Sequence, residues 1–155
     1  MDMLIKLHGA AFDAATLGPG HATLRKPIGP EQGIVRAWVG HQFGPGWESE
    51  AQVALGNRPP TLWVASRAAE LLGFACFDAT ALGFFGPVGV VEGARGQGLG
   101  AALTRVCLRA MRDAGYGYAI VGGVGVPAFF ERLAGAVEIA DSTPGLYRDQ
   151  CRGIT

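Results

Sequence analysis

Residues 86–103, GPVGVVEGARGQGLGAAL, constrain the fold of this chain more than any other segment. An apolar run breaks into a glycine-rich turn and then continues with helical spacing, which predicts a strand, a loop and a helix. Glycines alternate at Gly96, Gly98 and Gly100, so consecutive N–H groups can turn toward one point without interference from Cβ atoms. The first N–H groups and the dipole of the helix, together with Arg95, favour an anion at that point. The segment therefore predicts a phosphate-binding loop.

The predicted helix covers residues 99–114. Apolar residues recur along it at spacings of three or four, and arginines fall on the other side. The apolar residues are Leu99, Leu103, Val106, Ala110 and Ala114, and the arginines are Arg105, Arg109 and Arg112. Gly115 is placed to end this helix, as a glycine just beyond the last turn does.

Two other phosphate loops share parts of this pattern. A P-loop needs Gly-Lys-Ser/Thr at its end, whereas this loop ends Gly100-Ala101-Ala102, which argues against nucleoside triphosphate hydrolysis. Residues 96–101 formally satisfy the dinucleotide fingerprint, but the next predicted strand, residues 118–124, has no acidic residue to hold a ribose hydroxyl. A nicotinamide-dependent oxidoreductase and a tight corner without a ligand remain as alternatives.

The chain resembles the GNAT (GCN5-related) N-acetyltransferases. Their acyl-CoA signature, Q/R-x-x-G-x-G/A at a strand-to-helix turn, matches residues 95–100, RGQGLG. The family's core strand, long helix, next strand and F-Y-E-K-x-x-G helix correspond to residues 88–91, 99–114, 118–124 and 129–135. The resemblance covers residues 60–150 well and the first 60 loosely, and it implies one GNAT-like domain over residues 1–155.

The resemblance implies an acetyl-CoA-dependent N-acetyltransferase that acts on a primary amine of a small molecule. The pantetheine arm of acetyl-CoA would run beside the strand before the signature, at Val88, Gly89 and Val90. The N–H of Val90 is the implied donor to the carbonyl oxygen as charge develops on it. The pyrophosphate would lie over the loop residues, which are Arg95, Gly96, Gln97, Gly98, Leu99, Gly100 and Ala101.

The chain departs from the family at the general acid. Many relatives protonate the departing thiolate with the tyrosine of the F-Y-E-K pattern, but Phe130 stands in that position. Tyr147 is the candidate to replace it from a neighbouring strand, and packing at a sheet edge is the alternative explanation for this aromatic residue. Phe130 also favours the alternative function, a non-catalytic acyl-CoA-binding or sensing module.

The general base stays open at this stage. Glu48 and Glu50 are candidates, although carboxylates near a helix N-terminus need no catalytic role. Asp78 is the lone charge in an apolar strand pair, where burial could raise its pKa, or it ends its strand. His41 lies beside tryptophans, which favours packing, and there is no second histidine in metal-ligand register.

The remaining segments predict an α/β sandwich, in which a mixed central sheet is flanked by helices. We expect a strand at residues 22–27, helices at 31–42 and 47–55, and central strands at 72–78 and 84–91. The second central strand is expected to start or bulge at Gly-Pro, residues 86 and 87, because proline removes a ladder donor. These two buried strands explain the apolar run of residues 71–91 without a membrane helix.

The composition of the chain limits the classes of partner that we expect it to bind. Thirteen basic residues balance thirteen acidic ones, so no global charge attracts nucleic acid or an anionic membrane. The cysteines Cys76, Cys107 and Cys151 are odd in number and widely spaced, which indicates reduced thiols in a cytoplasmic protein and no metal site. Residues 1–20 lack the order of a signal peptide. A hydrophobic content of 49% allows a homodimer.

Overall fold

The computed structural model describes residues 1–9, 12 and 18–154. The strands in this part of the chain are β1 (Met3–Lys6), β2 (Thr23–Arg25), β3 (Leu62–Arg67), β4 (Glu70–Phe77), β5 (Phe84–Val90), β6 (Tyr118–Val121) and β7 (Val137–Glu138). The α-helices are α1 (Gln32–Phe43), α2 (Pro45–Gly56), α3 (Leu99–Asp113) and α4 (Pro127–Ala134). The α/β prediction is confirmed, and the predicted helices differ from the observed ones by at most two residues at either end.

A seven-stranded mixed sheet forms the centre of the described chain, in the order β2-β3-β4-β5-β6-β1-β7. Strands β2 to β5 pair antiparallel, as do β6, β1 and β7. The contact between β5 and β6 is parallel. The sheet therefore consists of two antiparallel parts that meet at this one parallel junction.

The strand β1 corrects the prediction that the first strand lies at residues 22–27. It buries Met3 and Ile5 and leaves Lys6 exposed, so it alternates as a half-buried strand does. The pattern is only four residues long, which made it too weak to stand out in the sequence. The expectation of no leader in residues 1–20 falls partly on residues 10, 11 and 13–17, which lie outside the described residues.

Two layers of helices cover the two faces of the sheet. Alternation along β3 directs Leu62 and Val64 into a core with α1 and α2, and Ala65 into a second core with α3 and α4. Phe74 is fully buried in the first core, where rings from both N-terminal helices surround it. The two cores hold the central strands from both sides, which explains their apolar composition.

The predicted bulge at Gly86 and Pro87 is confirmed. These two residues of β5 lie opposite Cys76 of β4, between the pairs Phe77 with Phe85 and Ala75 with Val88. Within the described chain, only Phe84 and Phe85 of β5 pair with β6. Beyond the bulge the two strands separate, and the sheet opens along one edge of β5.

The turn after α3 has the expected glycine. The N–H of Gly115 donates to the carbonyl of Arg112 and that of Tyr116 to the carbonyl of Met111, each at 3.0 Å, which is the Schellman arrangement. Gly115 has a φ of 106°. Residues 71–91 contain all of β4 except its first residue, a turn and β5, as predicted. None of the described helices is long and apolar enough to cross a membrane.

Candidate active site

The glycine loop opens the N-terminus of α3. Gly96 has a φ of 77° and Gly98 a φ of 84°, backbone conformations that side chains with a Cβ disfavour. Gly98 is the N-cap residue and supplies no side-chain cap. The first bond of the helix runs from the N–H of Ala102 to the carbonyl of Gly98, at 3.1 Å. The N–H groups of residues 99–101 therefore lack partners inside the helix and can bind an anion.

Arg95 links the loop to the strand before it. Its Nε donates to the carbonyl oxygen of Val90 at 3.1 Å, and the side chain is exposed. A cavity of about 300 Å³ lies over the loop. Its lining residues are Val90, Ala94, Arg95, Gly96, Gly98, Leu99, Gly100, Ala101 and Phe129. Leu99 is buried in the core, so only its backbone N–H is available to a ligand there.

The register of β5 determines which backbone groups face the opening. The N–H of Val91 donates to Leu72 at 2.9 Å, and Val90 lies opposite Gly73. Because hydrogen-bonded residues alternate along an antiparallel strand, Gly89 directs its N–H and carbonyl to β4. Val88 and Val90 direct theirs to the side where β6 has separated. An extended ligand arm could pair with these two residues.

Gly89 contributes in another way. A Cβ on this residue would come within 2.8 Å of the Phe43 ring and 2.9 Å of the Trp47 ring. Gly89 therefore allows the aromatic residues of the N-terminal helices to lie directly on β5. Because its N–H and carbonyl face β4, the register indicates that Gly89 serves the packing of these rings and does not bond to the ligand.

A second cavity, of about 400 Å³, continues along β5 from the first. It is lined by Trp47, Glu50, Thr80, Phe85, Gly86, Pro87, Val88, Val121, Gly122, Gly125, Val126, Phe129, Phe130 and Tyr147. Phe129 lines both cavities, which places them side by side on the open edge of β5. One cavity therefore offers backbone N–H groups, and the other offers an apolar pocket with three polar side chains.

Tyr147 lies in this second cavity, although its predicted strand is wrong. It ends a 3₁₀ turn, Gly145–Tyr147, and lines the cavity together with Thr80 and Glu50. A Cβ on Gly122 would lie 2.9 Å from this hydroxyl, so the residues after β6 pass close beside it. Burial, and then the charges of Glu50 and Asp2, raise the pKa of Tyr147 above its usual value near 10. The phenol therefore stays protonated at neutral pH, as a general acid must.

Asp2 fixes the C-terminal segment that carries Tyr147. Its carboxylate accepts from the N–H of Gly123 at 2.9 Å, and its own N–H donates to Ser142 at 2.7 Å. Its carbonyl accepts from Ile139 at 2.9 Å. Asp2 is buried and joins three distant parts of the chain. Sequence reasoning missed this residue, since an acidic residue beside the first strand carries no motif.

The structure separates the candidate bases. Glu50 lines the second cavity and accepts from the Thr80 hydroxyl at 2.5 Å. Glu48 lies against α1, where a Cβ on Gly40 would collide with its carboxylate. His41 is exposed on α1, which does not support the interpretation that it packs beside the tryptophans.

Asp78 has a structural role. It follows β4 in a left-handed conformation, with a φ of 53°. Its carboxylate accepts from the Tyr116 hydroxyl at 2.7 Å and from the Gly83 N–H at 2.8 Å. These bonds close the turn between β4 and β5 and fasten it to the end of α3. Of its two interpretations from the sequence, the structure favours the end of a strand.

Phe130 is buried where many GNAT proteins carry tyrosine. Its ring packs edge to face on Phe85 and Phe129, with centroids 6.1 and 5.0 Å away. It lines the second cavity and offers no proton.

Cys107 is fully buried, and burial raises the pKa of its thiol, as expected of a core residue. Among the described residues, no His, Cys, Asp or Glu cluster could hold a metal ion.

Solved structures share this fold. A GCN5-related glucosamine N-acetyltransferase region of a fungal multi-domain GH3 β-N-acetylglucosaminidase aligns with a TM-score of 0.68, at 16% identity, over 86% of this chain and 19% of that one. A GCN5-related N-acetyltransferase from Sphaerobacter thermophilus aligns with a TM-score of 0.66, at 22% identity, over 88% and 47%. A GNAT acetyltransferase from Brucella melitensis, in complex with acetyl-CoA, gives 0.53 at 23% identity, over 72% and 80%.

The chain is thus shorter than the first two of these proteins, spanning about a fifth and about half of their lengths. A comparison with curated proteins finds none that matches. The separated mixed sheet, with its glycine loop at the start of α3, defines an acetyltransferase fold. The family model for the acetyltransferase (GNAT) family matches residues 33–135, which is more than half of the chain. The protein belongs to the GNAT family, and the match includes the two N-terminal helices, beyond the region where the sequence resemblance was good.

Proposed function

We propose that this protein is an acetyl-CoA-dependent N-acetyltransferase that acts on a primary amine of a small molecule. The observation that carries the proposal is the continuity of two cavities along the open edge of β5. One ends at the N–H cradle of the glycine loop, and the other holds Glu50 and Tyr147. An acyl carrier with a pyrophosphate and an extended arm fits the first, and an acceptor fits the second.

The residues of the loop and strand fit coenzyme A. The free N–H groups at the start of α3 and the positive side chain of Arg95 would hold the pyrophosphate. Val88 and Val90 would pair with the amide groups of the pantetheine arm, and the aromatic ring of Phe129 borders the path between the cavities. When bound, acetyl-CoA supplies a thioester whose carbon the amine attacks, so a C–N bond forms and the sulfur leaves with the C–S electrons.

Three residues of this chain would serve that transfer. The carboxylate of Glu50 takes a proton from the acceptor ammonium, because a protonated amine has no lone pair for attack. The N–H of Val90 donates to the carbonyl oxygen as negative charge develops on it. The Tyr147 hydroxyl would give its proton to the departing sulfur, which Phe130 cannot do, and the resulting phenolate would take the second proton from the attacking nitrogen.

A non-catalytic acyl-CoA-binding module is the second candidate, and the buried ring of Phe130 is the observation that favours it. The two functions differ in turnover. We expect the purified protein to release the free thiol of CoA from acetyl-CoA when primary amines are added, and mass spectrometry to detect the acetylated amine. Binding of acetyl-CoA without thiol release across a broad amine panel would favour the binding module.

Two further expectations are a homodimer and a cytoplasmic location. Sedimentation tests the first and cell fractionation tests the second.

A further inference from the structure

We infer that the acceptor cavity takes a primary amine with an apolar or aromatic body and no carboxylate, and that Glu50 binds its ammonium group. The inference rests on the proposed function and specifies its substrate class. A cationic arylalkylamine is the model for this class. Amino acids and amino sugars, the other small amines of comparable size, lie outside it.

The charges in the cavity point to a cation. Glu50 carries the single carboxylate among its described lining residues, and none of them is Lys, Arg or His. An acceptor with a carboxylate would have no cation to pair with and would face the like charge of Glu50. Removing such a group from water without a partner is costly. An ammonium group, in contrast, gains a carboxylate partner on entering.

The Glu50 carboxylate is held in place for this role. The Thr80 hydroxyl donates to its Oε1 atom, and Thr80 and Tyr147 line the cavity beside it. A carboxylate has two oxygens, so Oε2 can accept from an ammonium while Oε1 stays bonded to Thr80. The negative charge of Glu50 also reaches the cavity, because it contributes to the raised pKa of Tyr147.

The walls of the cavity suit an apolar body. Five of its lining residues are aromatic: Trp47, Phe85, Phe129, Phe130 and Tyr147. The Trp47 ring is fixed by Phe43 and Phe74, with ring centroids 5.3 and 5.9 Å away. Aromatic faces attract both apolar groups and cations. The several hydroxyls of a sugar would find few polar side chains in this lining, chiefly those of Glu50, Thr80 and Tyr147, so they would lose hydrogen bonds to water.

The size of the cavity agrees with a small acceptor. Its volume of about 400 Å³ lies near the lower end of the range of about 300–1,000 Å³ typical of small-molecule sites. Val88 lines this cavity on the separated edge of β5, so an amine in it would lie next to the strand that would hold the acyl arm.

Phenethylamine and phenylalanine provide the sharpest test, because they share the ring and the amine and differ by one carboxylate. Calorimetry would measure the binding of each to the CoA-saturated protein, and thiol release would measure acetyl transfer. We expect phenethylamine to bind and to be acetylated, with phenylalanine and glucosamine at least tenfold weaker in both. The variants are Glu50→Gln, which keeps an acceptor for Thr80, and Glu48→Gln as the matched control on the same helix.

In Glu50→Gln we expect the affinity for phenethylamine to fall about tenfold to a hundredfold, as loss of a charged hydrogen bond does. The preference over phenylalanine should shrink with it, and Glu48→Gln should match the wild type. Equal binding of the two amines, or unchanged binding in Glu50→Gln, overturns the inference with or without turnover. Efficient acetylation of glucosamine overturns it and leaves the proposed function standing. Binding of phenethylamine without acetylation of any amine supports the site and contradicts the proposed function.

Discussion

Gly98 stands at the point where the phosphate loop becomes α3, and it needs a left-handed backbone. Its φ is 84°, and the nearest atom to an added Cβ would be Pro19 Cγ, at 3.5 Å. The protein itself has room for a side chain there, so the constraint comes from the backbone angle and from any ligand above the loop. Only glycine adopts this angle at low cost while leaving the N–H cradle open.

Gly98→Val should weaken acetyl-CoA binding by at least tenfold. A β-branched residue at this angle costs on the order of 1–3 kcal/mol, and its branches would obstruct the cradle. Calorimetry with acetyl-CoA measures the affinity, and circular dichroism checks that the variant is folded. Gly93→Ala is the control, since a Cβ there meets nothing within 4 Å. Equal affinity in Gly98→Val and the wild type would remove the loop from the proposed cofactor site.

Tyr147→Phe tests the general acid. Loss of a positioned acid typically lowers rates by about 10²–10⁴, and because a thiolate leaves readily we expect kcat to fall by about the lower end of that range. Acetyl-CoA affinity should stay unchanged. The raised pKa of Tyr147 adds a second expectation: its ionisation should lower the activity only at a higher pH than that of an ordinary tyrosine. A kcat equal to that of the wild type would mean that Tyr147 lines the cavity but does not act as the general acid.

The sequence predicted the loop residues because their signal is local. Alternating glycines, an arginine and a helical repeat lie within twenty consecutive positions. Glu50, Thr80 and Tyr147 come from three distant segments that only the tertiary fold brings together. The sequence could offer Glu50 among several carboxylates and Tyr147 as a substitute, but Thr80 had no signal. Choosing among the carboxylates required the packing of Glu48 on Gly40 and of Asp78 in its turn.

Strand β5 depends on a close approach to β4 at Gly73. A Cβ on this residue would lie 2.9 Å from the carbonyl oxygen of Gly89 and 3.1 Å from Leu103 Cδ1. The carbonyl belongs to the backbone of β5 and cannot rotate away, so the strand itself must shift. The pairing of these two strands therefore controls where Val88 and Val90 present their backbone groups.

Gly73→Ala should lower the free energy of unfolding by about 1–3 kcal/mol, the usual cost of overpacking a core. Acetyl-CoA affinity should fall as well, because the displaced strand carries the proposed pairing groups. Urea denaturation and calorimetry measure the two effects. In the control Gly117→Ala, where a Cβ meets nothing within 4 Å, both quantities should be unchanged. Full stability in Gly73→Ala would mean that β5 moves freely against β4.

The connection between β2 and α1 contains a pH-dependent ion pair. Arg25 donates to Glu31 at 2.6 and 2.7 Å, and the Ile28 N–H donates to the same carboxylate at 2.9 Å. The Arg25 guanidinium first, and then the Ile28 N–H, lower the pKa of Glu31 to about 2. The folded state therefore binds fewer protons than the unfolded state between pH 4.5 and 2. The free energy of unfolding decreases as the pH is lowered through that window.

Glu31→Gln should lower the urea midpoint slightly at pH 7, where the contribution of the ion pair is complete. The difference from the wild type should narrow as the pH falls from about 4.5 toward 2, because the unfolded chain then binds a proton at Glu31 that the folded carboxylate still lacks. The effect is small, since exposed pairs contribute little. Glu70→Gln, an exposed carboxylate elsewhere, serves as the control. A difference that stays constant down to pH 2 would contradict this account.

Elements with long periodic patterns could be predicted from the sequence, and short ones could not. The fifteen residues of α3 repeat their apolar positions over four turns, which explains why its ends were predicted within one residue. The four residues of β1 hold only two buried positions on one face. Its identity as a strand depends on pairing with β6 and β7, which lie more than a hundred residues later in the chain.

The whole molecule is organised around the parallel junction of β5 and β6. Only two residues of β5 pair with β6 within the described chain, so few backbone bonds join the two parts of the sheet there. The proposed cofactor path follows this junction, with Val88 and Val90 on one side and α4 on the other. A ligand on this path would contact both parts of the sheet and stabilise their association.

Acetyl-CoA should therefore raise the thermal stability of the whole protein. At about a hundredfold excess over the dissociation constant, ligand binding adds about 2.7 kcal/mol, which for a domain of this length is a rise in Tm of about 5–10 °C. NAD at the same concentration should give no rise, because residues 118–124, which follow the loop helix, contain no acidic residue to hold its ribose. Scanning calorimetry measures the shifts in Tm, and Gly98→Val should show a smaller shift at the same acetyl-CoA concentration.

A stabilised junction should also slow amide exchange in β5 and β6 together, because both strands border the opening that the ligand fills. Equal shifts with NAD and acetyl-CoA would contradict the cofactor assignment, and protection confined to α3 would contradict the path along β5.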